Sequence, residues 1–360
     1  MSRATLAILS TENLYHNLNV FKSLAPHSQI MVMVKANAYG HGIRSVAQRL
    51  DGKIDKIGVA SIDEALAIRA AGVTTPITLI EGVFDADELV LCSTKGFEVV
   101  FHDESQIQML RRSYHCLKPI TAWLKINTGM GRLGFNLSHA AKFYALLQNS
   151  PIIANPVGIL SHFACAETPE HPLNSQQIEA FKTFTQPFPL APLSFCNSAA
   201  TVCFPEQHYQ LIRPGLAIYG IQPTATKKLD LRPVMTLQTR LIATSYREPG
   251  SFIGYGASFQ CPPGGKLLVG VIALGYGDGY PRTAPAGTPV LVNQKLCRIV
   301  GRVSMDMITI DLTNSPEAAV GDPVVIWGDQ LPIETVADVI GRSVYEMITN
   351  VALRVKFHWD

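Results

Sequence analysis

Residues 30–42 read IMVMVKANAYGHG. A continuous apolar run, Ile30 to Val34, ends in Lys35, and a glycine-punctuated turn follows at once. Such a run is expected of a parallel strand covered on both faces. A lysine at the end of a core strand is costly to bury unless it has a partner or a function. Two readings of Lys35 are open from this stretch alone. One is an amine in a partly dry site, its pKa lowered, that forms a Schiff base with a carbonyl cofactor. The other is a side chain that snorkels from the strand end into water.

The same kind of run recurs along the first ~230 residues, alternating with amphipathic stretches as in a barrel. The eight candidate strands are Ile30–Val34, Ile57–Ala60, Ile77–Ile80, Phe97–Phe101, Ile120–Ile126, Val157–Ser161, Leu193–Cys196 and Leu211–Arg213. Between them, Ser61 and Glu64 make a capping-box pattern ahead of a helix that Gly72 stops. Asp103 opens Glu104–Arg112, Ser138 opens a stretch to Leu147, and Ser175–Phe184 has helical period. Eight such units predict an α/β fold with an N-terminal (β/α)8 TIM-type barrel. Pattern alone leaves a doubly wound open sheet as the alternative.

After about Leu231 helical period fades, and β-rich segments separated by Gly and Pro take over. They are Val234–Tyr246, Lys266–Leu274, Pro289–Val292, Leu296–Val300, Met307–Leu312 and Pro323–Trp327, followed by helical stretches at Ile333–Ile340 and Val344–Asn350. The expected organisation is a barrel over residues 1–231 and a mostly antiparallel C-terminal β domain over residues 232–360.

The chain has 360 residues, is 47% hydrophobic and carries a net charge of +2, so a sizeable core is available. No basic block interleaved with aromatics is present, so no nucleic-acid partner is expected. The longest apolar runs, such as Leu267–Leu274, fall far short of the roughly 20 residues that span a bilayer. No membrane partner is expected, and no signal-peptide pattern opens the chain. Cys92, Cys116, Cys165, Cys196, Cys203, Cys261 and Cys297 are odd in number and include no CxxC. That predicts free thiols, a cytoplasmic location and no metal site.

In a barrel, functional residues gather just after strand C-termini. Lys35 and Tyr39 follow strand one, and Lys125 ends strand five with Arg132 in the loop beyond. His162 stands at the end of strand six, Asn197 and Ser198 follow strand seven, and Arg213 ends strand eight with Gly215 beyond it. Alone, His162 reads as a satisfied core histidine and Arg213 as one half of an ion pair; their convergence on one rim argues otherwise. The loops after strands seven and eight commonly cradle phosphate in this fold. There Asn197 and Ser198 offer side-chain donors, and Gly215 and Leu216 offer backbone N–H groups. A Schiff-base lysine plus a phosphate cradle describes a pyridoxal-phosphate site.

Eight motifs carry a family resemblance: VKANAYGHG (34–42), LKINTGMGRLG (124–134), SHFA (161–164), NSAA (197–200), RPGLAIYG (213–220), GYGASF (254–259), GYGDGYPR (275–282) and GRVSMD (301–306). In this order, and over essentially its whole length, the chain resembles the alanine racemases, pyridoxal-phosphate enzymes of fold-type III. The resemblance implies interconversion of L- and D-alanine by a two-base mechanism, supplying D-alanine for peptidoglycan. It implies that Lys35 links the cofactor and serves as base on the D-face, and that Tyr255 of a partner subunit serves the L-face. Tyr39, Asn197 or Ser198, Gly215, Leu216 and Tyr345 would surround the phosphate. Arg213 would donate to the pyridine nitrogen with His162 beside the ring. That pairing would leave the nitrogen unprotonated and favour proton exchange over transamination.

The resemblance further implies that Arg132 binds the substrate carboxylate. Lys125 matches a lysine often carbamylated in this family, an anion that would orient Arg132; an ordinary lysine–carboxylate pair is the alternative. Met305 and Asp306 would border the substrate across a homodimer interface, and Tyr276, Arg282 and Arg302 would line an access corridor. Asn127 stands where relatives commonly have aspartate, and the chain ends RVKFHWD, where many have RVPR. Three other readings stand beside this one. A broader racemase acting on serine is not separated by these residues. A fold-type III decarboxylase would place a carboxylate where Arg213 stands, and a single-barrel pyridoxal-phosphate binder would lack the β domain.

Overall fold

The computed structural model describes residues 4–113 and 118–360. Cys116 lies outside them, and the six described cysteines are free thiols. The chain divides into two compact units.

One unit holds Tyr15–Ala38 and Gly42–Leu231. Its parallel strands are Gln29–Met33, Lys56–Val59, Ile77–Leu79, Glu98–Phe101, Ile120–Asn127, Ile153–Leu160, Leu193–Ser194 and Leu211–Ile212. From the first to the seventh each pairs with the next in chain order, and the eighth pairs back onto the first through Leu211↔Gln29 and Ile212↔Ile30. Strands seven and eight are joined by Arg213 N to Cys196 O (2.9 Å) and Ser194 Oγ to Leu211 O (2.7 Å). The ring is thus a (β/α)8 barrel, and the open-sheet alternative is excluded.

Every expected barrel strand is present because burial on both faces demands a continuous apolar run. The sixth starts at Ile153, earlier than expected; its polar opening, Asn155-Pro156, coincides with a register shift against strand five. Ser61 caps the helix Ile62–Ala70, and Asp85 caps Ala86–Lys95, which Gly96 ends in a left-handed conformation. The helix expected to open at Ser138 begins one residue earlier, with Asn136 in the cap position.

Size complementarity fills the barrel. The Trp123 indole lies so close to Gly158 that a Cβ there would fall 2.2 Å from the ring. Near the strand starts, Glu98 accepts from Lys56 Nζ, Thr78 Oγ1 (2.9 Å) and Trp123 Nε1 (2.9 Å). This buried polar cluster lies at the end of the strands away from the rim where the candidate residues gather.

The other unit holds residues 4–14, Tyr39–His41 and Arg232–Asp360. Its sheet runs Leu267–Ile272, Ile308–Asp311, Lys295–Val300, Pro289–Val292, Pro323–Trp327, Met235–Arg247, Leu6–Leu9, Lys356–Trp359. The long strand Met235–Arg247 also pairs with Leu267–Ile272, so the strands between them close on themselves. Pairing is antiparallel except between Leu6–Leu9 and Lys356–Trp359. Two elements differ from the sequence reading. Leu6–Leu9, within the stretch assigned to the barrel, pairs with Met235–Arg247, and the terminal RVKFHWD supplies the edge strand beside it. Both are four residues long, too short for their own pattern to reveal a partner more than 200 residues away. A short hairpin, Phe252–Ile253 with Phe259–Gln260, carries the turn containing Tyr255. Among the described residues, no helix is long and apolar enough to cross a membrane.

Candidate active site

The barrel rim collects positive charge. Lys35 leaves the end of strand one half-exposed, with Glu81 Oε1 4.0 Å from its Nζ. Arg213 is buried at 4% exposure. Its guanidinium donates to Ser194 Oγ and to the carbonyls of Ser161 and Phe195, and reaches His162 Nδ1 at 3.4 Å. No carboxylate pairs with it among the described residues. Burial pulls Arg213 down to about 10. Burial, reinforced by Arg213 and then Lys125, holds the His162 imidazole well below its ordinary range, so His162 is neutral near pH 7.

Lys125 is 5% exposed and has no hydrogen bond or ion pair among the described residues. Burial, then the nearby Arg213 and Arg132, pull its ammonium down to about 8, while Glu81 acts in the opposite direction. The alternative, an ordinary lysine–carboxylate pair, is therefore not found among the described residues. Asn127 explains part of this. Its Oδ1 accepts from Gly129 N and Gly131 N, both at 3.1 Å, holding the loop that presents exposed Arg132.

This arrangement makes stability depend on pH. An unfolded lysine titrates near 10.4. Below about pH 8 both states are protonated, and the full cost of burying the charge is borne by the folded state. Between there and about pH 10 the folded state releases its proton first, so the unfolded state binds more protons and stability rises with pH. Lys125→Met should therefore stabilise the cofactor-free protein at pH 7 by about 3 kcal/mol, with the gain vanishing above about pH 10. Urea unfolding at pH 7 and pH 10 checks this; equal gains at both would refute it.

Beyond strand seven, Asn197 uses its Oδ1 to cap the helix Ser198–Cys203 by accepting from Ala200 N (2.9 Å). Ser198 Oγ accepts from Gly215 N (2.9 Å), tying the loops after strands seven and eight together. Ser198, Gly215 and Leu216, which opens a short 3-10 turn, thus lie at one place. Asn197 acts there through the backbone it caps.

Between Lys35 and Gly42 the backbone is strained. Ala36, Asn37, Ala38 and Tyr39 have φ of 52°, 56°, 55° and 49°. This is one left-handed helical turn built without glycine, at about 1–2 kcal/mol per residue. Such strain persists only where surroundings over-determine it. Ala38 N donates to Val34 O (2.7 Å), Gly42 N to Asn37 O (2.9 Å) and Ile43 N to Asn37 Oδ1 (2.9 Å). Ala36 N donates to Glu64 Oε1 at 2.7 Å.

Within the β unit, Tyr39 and Tyr345 bring their rings to 6.3 Å. Gly40, at φ +80°, presses so closely on Ile348 that a Cβ would lie 2.0 Å from its carbonyl oxygen. Tyr255 stands on a 3-10 turn and is 70% exposed. Gly254, at φ +79°, lets that turn approach Arg302 N. Arg282 and Arg302 line one cleft of about 350 Å³ with Ser258. Tyr276 N donates to Ser304 O (3.0 Å) and Gly277 N to Met305 O (2.9 Å). Arg354 clamps the same loop, donating to Asp306 Oδ1 (2.9 Å) and to the buried Asp278 (2.8 Å).

Glu81, His102 and Arg354 escaped the sequence reading, and Glu64 entered it only as half of a capping-box pattern with Ser61. Glu81 and His102 follow strands three and four, joined by His102 Nε2 and Glu81 O at 2.9 Å. The rule of reading residues after strand ends would have found both. Arg354 had no such signal.

The barrel unit thus offers an amine at a strand end and a buried guanidinium free of carboxylate. It also offers a neutral histidine and small-residue loops joined by Ser198. These suit a ligand bearing a carbonyl, a ring acceptor and an anionic phosphate. Residues 9–223 match the model of the alanine racemase N-terminal domain, and residues 234–359 that of the C-terminal domain. The chain belongs to the alanine racemase family. It is 42% identical to the alanine racemase of Shewanella woodyi and 45% identical to that of Nitrosococcus oceani, each over 97% of both chains. The crystal structure of the biosynthetic alanine racemase of Pseudomonas aeruginosa is similar at a TM-score of 0.94 and 38% identity, covering 99% of both chains. The alanine racemase of Bartonella henselae with covalently bound pyridoxal phosphate is similar at 0.90 and 27%, again over 99% of both. Alanine racemases are pyridoxal-phosphate-dependent, so the residue chemistry of the rim and the family agree on the cofactor class.

Proposed function

We propose that this chain interconverts L- and D-alanine with pyridoxal phosphate, as a homodimer in the cytoplasm, and so supplies D-alanine for peptidoglycan. The observation that carries the reading is the rim of the barrel, where the Lys35 amine shares one positive field with the carboxylate-free Arg213 and the unpaired Lys125. When bound, the cofactor acidifies the Cα–H of an amino acid by delocalising the electron pair left behind.

In this reading Lys35 would hold the cofactor, and Arg213 and His162 would face its ring. Ser198, Gly215 and Leu216 would hold the phosphate, with Asn197 capping the short helix Ser198–Cys203, and the family resemblance assigns Tyr39 and Tyr345 the same role. Arg132 binds the substrate carboxylate. Inversion needs a proton removed from one face and returned to the other. Lys35 Nζ serves one face, and the phenol oxygen of Tyr255 of the partner subunit serves the other. The exposure of Tyr255, and of Met305 at 53%, supports a surface offered to a second copy, where Met305 and Asp306 border the substrate. Tyr276, Arg282 and Arg302 line the access corridor. Near pH 8 a substantial fraction of Lys125 is a neutral amine. Addition of that amine to carbon dioxide, with loss of one proton, would place a carbamate anion near Arg132.

The test is L-alanine incubated with protein and pyridoxal phosphate in deuterated water. D-alanine bearing deuterium at Cα is the expected product by NMR and chiral analysis. Exchange with serine but not alanine would redirect the reading to a serine racemase. Release of carbon dioxide with amine product would replace it with decarboxylation.

A further inference from the structure

The left-handed turn after Lys35 is held from outside by a residue that the racemase reading does not use. Glu64 lies in the helix Ile62–Ala70, 28 residues beyond Ala36. A capping-box glutamate would return its carboxylate to the N–H of Ser61. Here Glu64 N still donates to Ser61 Oγ, but the carboxylate points elsewhere. Oε1 accepts from Ala36 N at 2.7 Å, and Oε2 accepts from Ala60 N at 2.8 Å. One side chain thus joins the end of strand two to the amide that follows Lys35. Both bonds are charge-assisted, which makes them stronger than bonds between neutral groups.

The geometry points to Glu64 as a positioning residue for Lys35: its carboxylate fixes the Lys35–Ala36 peptide, holds the left-handed turn and so aims the amine. The physical case is steric. Alanine prefers the right-handed or extended regions, and relaxing Ala36 into either rotates the peptide on the carbonyl side of Lys35. That rotation changes the direction in which the Lys35 side chain leaves the strand end. The bonds from Asn37 to Gly42 and Ile43 secure the far end of the turn; Glu64 secures the end next to the lysine. This inference rests on the reading of Lys35 as the cofactor anchor.

The experiment measures how fast Lys35 is labelled by pyridoxal phosphate under borohydride reduction, by mass spectrometry of its peptide, beside kcat, KM and thermal midpoint. Wild type, Glu64→Ala, Glu64→Gln, Ala36→Gly and the double variant Glu64→Ala/Ala36→Gly are compared. Glu64→Ala should slow labelling and lower kcat on the order of 100-fold, the scale of an ångström of misplacement, with KM for alanine nearly unchanged. Glu64→Gln keeps one acceptor oxygen and should fall between. Glycine adopts positive φ without the penalty alanine incurs. Adding Ala36→Gly to Glu64→Ala should therefore recover about tenfold of the loss, which a role confined to capping the helix would not produce.

Labelling of Glu64→Ala at the wild-type rate overturns the proposal. So does a loss that tracks the thermal midpoint and is not rescued by Ala36→Gly. If Glu64→Ala fails to fold, Glu64→Gln with and without Ala36→Gly is judged by the same criteria. Wild-type protein labelled elsewhere than Lys35 removes the anchor reading itself, and the proposal with it.

Discussion

Lys35→Ala protein and Tyr255→Ala protein are each expected to lose alanine racemisation by about 10³-fold or more, since each lacks one of two proton-transferring groups. A one-to-one mixture is expected to recover activity. Random re-association makes half of the dimers mixed, and each mixed dimer holds one site with both groups intact. About one quarter of wild-type activity should therefore return. The physical basis is the position of Tyr255, 70% exposed on a hairpin turn of the β unit, while Lys35 belongs to the barrel unit. Subunit exchange is verified with tagged chains. Verified exchange without recovered activity would show that a single chain supplies both groups to its own site.

The second large effect concerns stability. Glu98→Ala should destabilise the protein by about 3–5 kcal/mol, because it strands the Lys56 ammonium inside the barrel. The side chains of Lys56 and Glu98 are only 15% and 8% exposed. Thr78 and Trp123 lose their shared acceptor as well. For a unit of this size the thermal midpoint should fall on the order of 10 °C. Replacing both ions, as Lys56→Met/Glu98→Leu, should regain part of the loss, since two apolar side chains leave no unpaired charge. The cluster lies at the strand starts, so activity per folded molecule should be preserved. Calorimetry with activity titrated against folded fraction checks both points. A midpoint unchanged by Glu98→Ala would mean that water reaches Lys56.

Most of the fold was legible in the residues. Strands buried on two faces must be continuously apolar, and a helix between them announces itself through Ser61, which caps Ile62–Ala70. Site residues were legible where they interrupt that logic. Lys35, Lys125, His162 and Arg213 each stand at or just past the end of an apolar run, where a charged or titratable group has a cost to justify. Glu64 was misread because its spacing from Ser61 satisfies a local rule, while its carboxylate answers a contact 28 residues away. The left-handed turn was hidden because alanine and asparagine occupy it where glycine would have advertised it. Leu6–Leu9 and Lys356–Trp359 escaped the strand reading, because each is completed only by pairing with the other.

The sequence by itself determined the order of strands and helices, the burial of their faces and the kinds of side chain at their ends, because these follow from periodicity within a few residues. Only the tertiary structure decided which charges are compensated. Among the described residues no carboxylate pairs with Lys125 or Arg213, while Lys56, equally ordinary in sequence, is paired with Glu98. It also decided that the backbone after Lys35 is left-handed and that Glu64 holds it. Both depend on ring closure, which brings strand ends from distant parts of the chain within hydrogen-bonding reach, and no local pattern encodes which of them will meet.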